Sequence, residues 1–158
     1  MPGTTRVRRV FSTRAGGRST GVYGQFNLSA GVGDDPALVA ANRARVRDRL
    51  GVPVVYLAQV HGTRVATVTA APAPDDPDLP DTDAAVTALP GIGLAVLAAD
   101  CVPILLADPV AGVVGAAHAG RVGAAAGVLP ATLAAMTALG ARVHAVEVLL
   151  GPAICGGC

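Results

Sequence analysis

The sequence predicts a single domain that combines helices with a buried β-sheet. Several short apolar runs are rich in Val, Ile and Leu and are bounded by Gly, Pro or Asp, a pattern typical of strands that are covered on both faces. Other segments carry helix-capping residues and a helical spacing of apolar side chains. The chain has 158 residues, which allows one domain with a sizeable core, and we find no internal repeat.

The composition excludes several classes of protein. Of the residues, 52% are hydrophobic and 15% are charged, and the net charge is +1. Neither nucleic acid nor an anionic membrane surface is therefore an expected partner. No apolar stretch is long enough to cross a bilayer, and the arginine-rich N-terminus lacks the apolar region of a secretory signal. Three cysteines do not make a disulfide framework, so we expect a reduced, cytoplasmic protein.

The first third of the chain predicts a strand, a long loop and a helix. Residues 4–12 alternate apolar side chains with arginines and predict a strand. Residues 14–33 are rich in Gly, Ser and Asn, without helical spacing, and predict a loop of the length that often carries function. Residues 34–51 predict the clearest helix, with Asp35 as N-cap and Gly51 as its stop.

The following segment predicts a hairpin and an acidic loop. Apolar runs at 54–60 and 64–68 flank the sequence HGT and favour two paired strands. Residues 70–83 are rich in Pro and Asp but lack the glycine and terminal glutamate of a calcium-binding EF-hand loop. We interpret them as a solvated loop, with Asp81 and Asp83 at the entrance to the next strand.

The remaining elements are short strands around one interrupted helix. A helix is predicted over 120–140, broken or restarted near Pro130. His144 is expected to face solvent on the last strand. The predicted strands cover 84–89, 93–100, 102–108, 112–118 and 142–151.

Three metal-ligand side chains follow apolar runs. His61 follows YLAQV, Cys101 follows GLAVLAAD, and His118 ends GVVGAAH. If these strands lie side by side, two imidazoles and one thiolate meet at one edge, a donor set that suits Zn²⁺ and leaves one position open. The alternative is that Cys101 is a small core residue and the histidines are ordinary hydrogen-bonded residues. In the zinc interpretation, Asp100 fixes the turn or holds a ligand in place.

Two further features have two interpretations each. Arg43 lies beside Asn42 at the edge of the predicted helix's apolar stripe, where it either covers the core with its aliphatic stem or contacts an anion in a pocket. CGGC at 155–158 has the spacing of a redox motif. Because no strand-to-helix context surrounds it, a frayed terminus with adventitious metal-binding thiols is the preferred interpretation.

Six motifs occur in order along the chain: FSTRAGGRSTGVYGQFNLS, VGDDPALVAANRARV, QVHGTRV, LAADCVPILLADP, AAHAG and GPAI. Together they resemble the laccase-domain family, also called the multicopper polyphenol oxidase or peptidoglycan-editing-factor family. The resemblance covers nearly the whole chain.

The resemblance implies an α+β fold of mixed β-sheets with flanking helices, and a purine nucleoside phosphorylase that uses zinc. It implies that His61, Cys101 and His118 are the metal ligands and catalytic residues. It places Asn27 and Arg43 beside the site as residues that bind substrate or phosphate. The implied substrates are phosphate with adenosine, inosine, guanosine or methylthioadenosine, and adenosine would also be deaminated.

The sequence departs from the family in two places. The family usually continues HAGWRG, whereas this chain has HAGRVG, which removes an aromatic side chain and moves the arginine to Arg121. Relatives also run beyond the GPAI motif, so we expect that residues 1–158 are a laccase-like domain without the family's C-terminal part.

Three other functions use the same residues or none of them. A copper polyphenol oxidase is disfavoured because its clusters need more than the three histidines present. A cysteine hydrolase acting on peptidoglycan-type amides would use Cys101 as nucleophile and His61 or His118 as base. In an inactive truncated remnant, none of these residues would have a catalytic role.

Overall fold

A computed structural model describes residues 6–157. One helix precedes six consecutive strands, and two helices and a final strand follow them. The helices are α1 (Pro36–Leu50), α2 (Arg121–Ala126) and α3 (Val128–Ala138), and the strands are β1 (Val54–Val55), β2 (Val65–Thr67), β3 (Ala84–Thr87), β4 (Gly93–Leu94), β5 (Val102–Asp108), β6 (Val113–Ala119) and β7 (Glu147–Leu150).

The fold is α+β, with a mixed main sheet, as predicted. The main sheet has the strand order β2-β3-β6-β5-β7, in which β2 and β3 are parallel and the other pairs are antiparallel. β1 and β4 form a separate two-stranded parallel sheet. Among the described residues, no helix is long and apolar enough to cross a membrane.

The main core lies between the central strands and α3. Val86, Leu106 and Val113 are buried in the sheet, and Val128 and Met136 from α3 pack against them. Apolar burial of this kind contributes on the order of 1.5–3 kcal/mol for each large side chain. β5 and β6 are therefore held firmly at the centre of the domain, and this position matters for the site described below.

Helix α1 begins and ends where the sequence predicts. The Asp35 carboxylate accepts a hydrogen bond from the backbone N–H of Ala37, and Gly51 ends the helix with a φ of 73°. Val39 is buried as part of the apolar stripe. Asn42 is fully buried, not at the edge of the stripe, and belongs to the polar network described below.

The predicted C-terminal helix is two helices. The break falls at Gly127, whose φ of 100° suits glycine and ends α2. Pro130 lies in the first turn of α3, where the missing backbone N–H has no helical partner to lose. The prediction of an interruption is confirmed, but glycine causes it.

The predicted hairpin at 54–60 and 64–68 is wrong. β1 pairs with β4 in the small sheet, whereas β2 pairs with β3 in the main sheet. The chain crosses between sheets because Asp83 captures the backbone N–H groups of Val60, His61 and Gly62. A carboxylate from another segment thus takes the place of hairpin hydrogen bonds.

Other predicted strands are shorter or missing. Residues 6–12 form no strand, since Arg8 ties this segment through its side chain to the Arg49 and Leu50 carbonyls at the end of α1; residues 4 and 5 lie outside the described residues. Only Gly93–Leu94 of the predicted 93–100 strand is a strand. His144 is exposed, but it lies in the 3-10 turn Val143–Ala145 that precedes β7.

Candidate metal centre

The β5–β6 pair brings Cys101 to His118. Pro103 pairs with His118, and Val102 pairs with Ala119. Cys101 immediately precedes β5, so it lies beside the end of β6. Sequence reasoning placed both residues at the carboxyl ends of strands; this is correct for His118, whereas Cys101 is at the amino end of its strand. They meet because the two strands are antiparallel.

His61 reaches the same place from a turn. Its φ is 62°, a left-handed conformation that is uncommon for a residue other than glycine. Asp83 accepts the N–H of His61 at 2.9 Å and that of Gly62 at 2.8 Å, which stabilises the turn. Gln59 also ties the turn to Leu97, donating to its carbonyl at 2.8 Å and accepting its N–H at 2.7 Å.

The three predicted ligands form one cluster. A ligand atom from each of His61, Cys101 and His118 lies within 4.8 Å of the other two. The two imidazole rings are edge-to-face, with centroids 4.8 Å apart. His118 is only 3% exposed, Cys101 is half-buried, and His61 is exposed. The cluster is therefore anchored in the sheet on one side and open to solvent on the other.

A glycine makes room for this cluster. A Cβ atom at Gly120 would lie 2.6 Å from Cδ2 of His61 and 3.1 Å from Sγ of Cys101. A side chain at position 120 would therefore force the His61 ring to move and would press on the Cys101 sulfur, so glycine favours the close approach of these two ligands.

Asp83 is the residue that sequence reasoning missed. Its carboxylate is fully buried and lies 2.9 Å from Nδ1 of His118. Burial by itself would raise the pKa of Asp83, but hydrogen bonds from His118 and from three backbone amides hold that pKa below its ordinary value of 3.8. An ionised acceptor at Nδ1 assigns the proton to that nitrogen and leaves the Nε2 lone pair of His118 available.

The donor set fits zinc. Zn²⁺ binds imidazole nitrogen at about 2.0–2.1 Å and thiolate sulfur at about 2.3 Å, and the three ligand atoms of the cluster lie within 4.8 Å of one another. Cys101 is a free thiol. Three protein ligands on a solvent-open site leave a coordination position for water or substrate, which is the pattern of catalytic zinc.

Asn27 lies in a separate network of paired polar groups. Its side-chain amide donates to Asp34 at 3.0 Å and accepts the N–H of Ser29 at 3.0 Å. Asn42 at the centre of this network donates to the Asn27 carbonyl at 2.8 Å and accepts the N–H of Arg18 at 2.7 Å. These contacts fold the long loop onto α1.

Arg43 is also paired. It makes two hydrogen bonds to the carboxylate of Asp78, at 2.6 and 2.9 Å, and donates from Nε to the Leu28 carbonyl at 2.8 Å. Its guanidinium lies 4.0 Å from the ring centroid of Tyr56. A phosphate that took the bidentate position on Arg43 would have to displace Asp78.

Three other predicted residues lie around or outside the cluster. Asp100 is exposed, and its backbone carbonyl accepts the N–H of Ile154 at 2.9 Å. Arg121 is exposed at the first position of α2. Cys155 is disulfide-bonded, which corrects the prediction of a free thiol there; Cys158 lies outside the described residues.

Comparison with known proteins gives one family and a consistent set of relatives. Residues 8–158 match the family model described as multi-copper polyphenol oxidoreductase laccase. The chain is 52% identical to a purine nucleoside phosphorylase of Streptomyces griseus over 99% of this chain and 65% of that protein. It is 51% identical to a purine nucleoside phosphorylase of Mycobacterium tuberculosis over 97% of this chain and 61% of that protein.

Solved structures agree on the fold. The crystal structure of YlmD from Geobacillus stearothermophilus matches with a TM-score of 0.81 and 35% identity, over 90% of this chain and 56% of that one. A Bacillus licheniformis hypothetical protein, YfiH, matches with a TM-score of 0.83 and 31% identity, over 92% and 58%. The chain thus spans less than two thirds of the length of these relatives.

Proposed function

Since the chain belongs to the multi-copper polyphenol oxidoreductase laccase family, we propose that it acts as a zinc-dependent purine nucleoside phosphorylase. The observation that carries the proposal is the convergence of His61, Cys101 and His118 within 4.8 Å at a solvent-open edge of the sheet. The names of the relatives supply the reaction class. The proposed substrates are phosphate and a purine nucleoside: adenosine, inosine, guanosine or methylthioadenosine.

His61, Cys101 and His118 would hold the zinc ion. When bound, zinc supplies Lewis-acid polarisation and activates a water molecule near neutral pH, chemistry that also suits the proposed deamination of adenosine. The chain contributes the arrangement of donors, with His118 fixed by the sheet and Cys101 held beside it by strand pairing. Exposure of His61 leaves one side of the cluster accessible to a nucleoside.

Arg43 and Asn27 are the proposed contacts for phosphate or nucleoside. Arg43 donates a hydrogen bond to the carboxylate of Asp78, and Asn27 donates one to the carboxylate of Asp34. Exchange of an internal carboxylate for substrate phosphate would leave the guanidinium paired in both states. A bidentate arginine is suited to both anions, since its donors match carboxylate and phosphate geometry.

The test is chromatography of zinc-loaded protein incubated with adenosine, with and without phosphate. Phosphate-dependent release of adenine supports phosphorolysis, and inosine supports deamination. The matched variants are His61→Ala, which removes a cluster imidazole, and His144→Ala, which removes an exposed imidazole outside the cluster. We expect only His61→Ala to abolish both products. Product formation by metal-free wild-type protein would contradict the zinc scheme.

A cysteine hydrolase is the second candidate, and one observation favours it. Cys101 is a free, half-buried thiol that lies among two imidazoles, the arrangement used to activate a cysteine nucleophile. Treatment with iodoacetamide separates the two functions. A thiolate bound to zinc should resist alkylation until a chelator is added, whereas a nucleophile should react in zinc-loaded protein and lose activity on peptidoglycan-type amides.

A further inference from the structure

Asp83 contacts both histidines of the cluster through one carboxylate. Oδ1 lies 2.9 Å from the Nδ1 atom of His118 and accepts the backbone N–H of His61 at 2.9 Å. Oδ2 accepts the N–H groups of Val60 and Gly62. These contacts reach two ligands that come from different segments, one on a strand and one in a turn.

The backbone of Asp83 adds a further connection to β6, the strand that carries His118. Its carbonyl accepts the N–H of His118 at 2.7 Å, and its N–H donates to the Arg64 carbonyl at 3.1 Å. Asp83 directly precedes β3, which pairs with β6 from Ala84 onward. The carboxylate is therefore fixed to the sheet before it contacts either histidine.

Each contact removes a specific freedom from a ligand. The acceptor at Nδ1 selects one ring tautomer and one ring orientation for His118, so that Nε2 faces the cluster. The three amide hydrogen bonds stabilise a turn in which His61 has a φ of 62°, a conformation that costs energy for a residue with a side chain. Without the carboxylate, three amides would lose their acceptor, and only the Gln59–Leu97 hydrogen bonds would still hold the turn.

We propose that Asp83 is a positioning residue that fixes both histidine ligands at once and thereby sets the metal affinity of the site. The inference rests on the proposed metal site but not on the phosphorylase reaction. Loss of an outer partner of a ligand typically lowers metal affinity about 10- to 100-fold. Because Asp83 serves two ligands, we expect its removal to lie near the upper end, at about 100-fold.

The test compares Asp83→Asn with Asp108→Asn. Asp108 is also fully buried and also accepts backbone N–H groups, from Val110, Ala111 and Arg142, but it lies at the opposite end of β5. Affinity for Co²⁺ is measured in competition with a chelator, together with the visible absorption of the bound ion. We expect weaker binding and an altered spectrum only for Asp83→Asn. Equal affinity and spectrum in both variants, or equal loss in both, would overturn the proposal.

A second measurement covers the case in which Asp83→Asn does not fold. In metal-free wild-type protein, ¹⁵N spectra of the imidazoles report which nitrogen of His118 carries the proton. We expect a protonated Nδ1 and an unprotonated Nε2. The opposite tautomer would overturn the proposal without any variant. Failure of the phosphorylase assay would leave these readouts unchanged, so failure of the function and failure of this inference are distinguishable.

Discussion

The metal cluster and the loop network on α1 use polar side chains in opposite ways. In the cluster, Nε2 of His118 and the Cys101 thiol make no hydrogen bond to any residue within 6–157, although the ligand atoms lie within 4.8 Å of one another. In the network, Asn42 and Arg43 direct their polar atoms to protein partners at 2.6–2.9 Å. The cluster leaves its potential metal ligands available, whereas the polar side chains of the network are already hydrogen-bonded within the protein.

This difference separates a binding site from a structural element more clearly than residue type does. Asn27 and Arg43 have side chains suited to substrate contacts, yet their hydrogen bonds all go to other groups of the chain. His61, Cys101 and His118 could have been ordinary core residues, yet they converge. Availability of the polar atoms, and not their chemistry alone, identifies the site.

Removal of Cys101 should give the largest effect on metal binding. Cys101→Ala deletes one of three ligands, so zinc affinity should fall by more than the ~100-fold expected for loss of an outer partner. Competition with a chromophoric chelator measures this affinity. Arg43→Ala should leave it unchanged. Unchanged zinc affinity in Cys101→Ala would show that the metal binds elsewhere. It would contradict the distinction between the cluster as a metal site and the network as a structural element.

Removal of Asn42 should give the largest effect on stability. Asn42→Ala leaves the Arg18 N–H and the Asn27 carbonyl, both partly buried, without their partner. Unsatisfied buried groups cost about 1–3 kcal/mol each, so we expect the free energy of unfolding to fall by about 3 kcal/mol. Urea unfolding followed by circular dichroism measures it. Zinc stoichiometry should stay at the wild-type value, and a coupled loss of zinc would contradict the separation of the two regions.

Substitutions in the pair of Arg43 and Asp78 test whether the Arg43 guanidinium can exchange its internal partner for phosphate. Exposed ion pairs contribute up to about 1 kcal/mol. The pair of Arg43 and Asp78 is partly buried, so we expect Asp78→Asn to weaken their contact by roughly 1 kcal/mol. If Arg43 binds phosphate, the KM for phosphate should fall about fivefold in this variant, which is the same energy expressed as affinity. Arg43→Lys should raise it. A phosphate KM that neither substitution changes would assign Arg43 to structure alone.

Acid should disturb the loop network by a smaller amount. Hydrogen bonds from Asn27 and Ser19 hold the pKa of Asp34 below its ordinary value of 3.8. The group therefore contributes stability that is fully present above pH 3.8 and is lost as the pH falls through the lower, folded value. Urea midpoints between about pH 5 and about pH 2 measure this loss. Asp34→Asn should show a shallower decline, and an identical decline would assign the acid sensitivity to other carboxyls.

The sequence predicted the parts of the fold that depend on local chemistry. Asp35 and Gly51 bound α1 because capping needs only a side-chain oxygen and a left-handed residue. Strand β5 has the predicted bounds, Val102–Asp108, because its apolar run is continuous. The hairpin prediction failed because pairing partners depend on distant segments, here on the Asp83 carboxylate.

The site was predictable in its ligands but not in its support. Cys101 and His118 interrupt or end apolar runs, which is a signal that sequence carries. Asp83 is the last of five aspartates in a loop, and residue type alone does not distinguish it from Asp75 or Asp76, which are exposed. Its one signal is its place directly before a fully buried strand, where an ionisable side chain needs partners.

The space beside Gly120 has a consequence for sequence variation. The backbone of this residue is extended, with a φ of −71°, so its conformation would suit any amino acid. A larger residue here would therefore be opposed by the neighbouring imidazole and thiol and not by the backbone. Among related genes, codons for larger residues should spread here once the histidine in the turn has been lost, and a single methyl group should be purged wherever that histidine is kept.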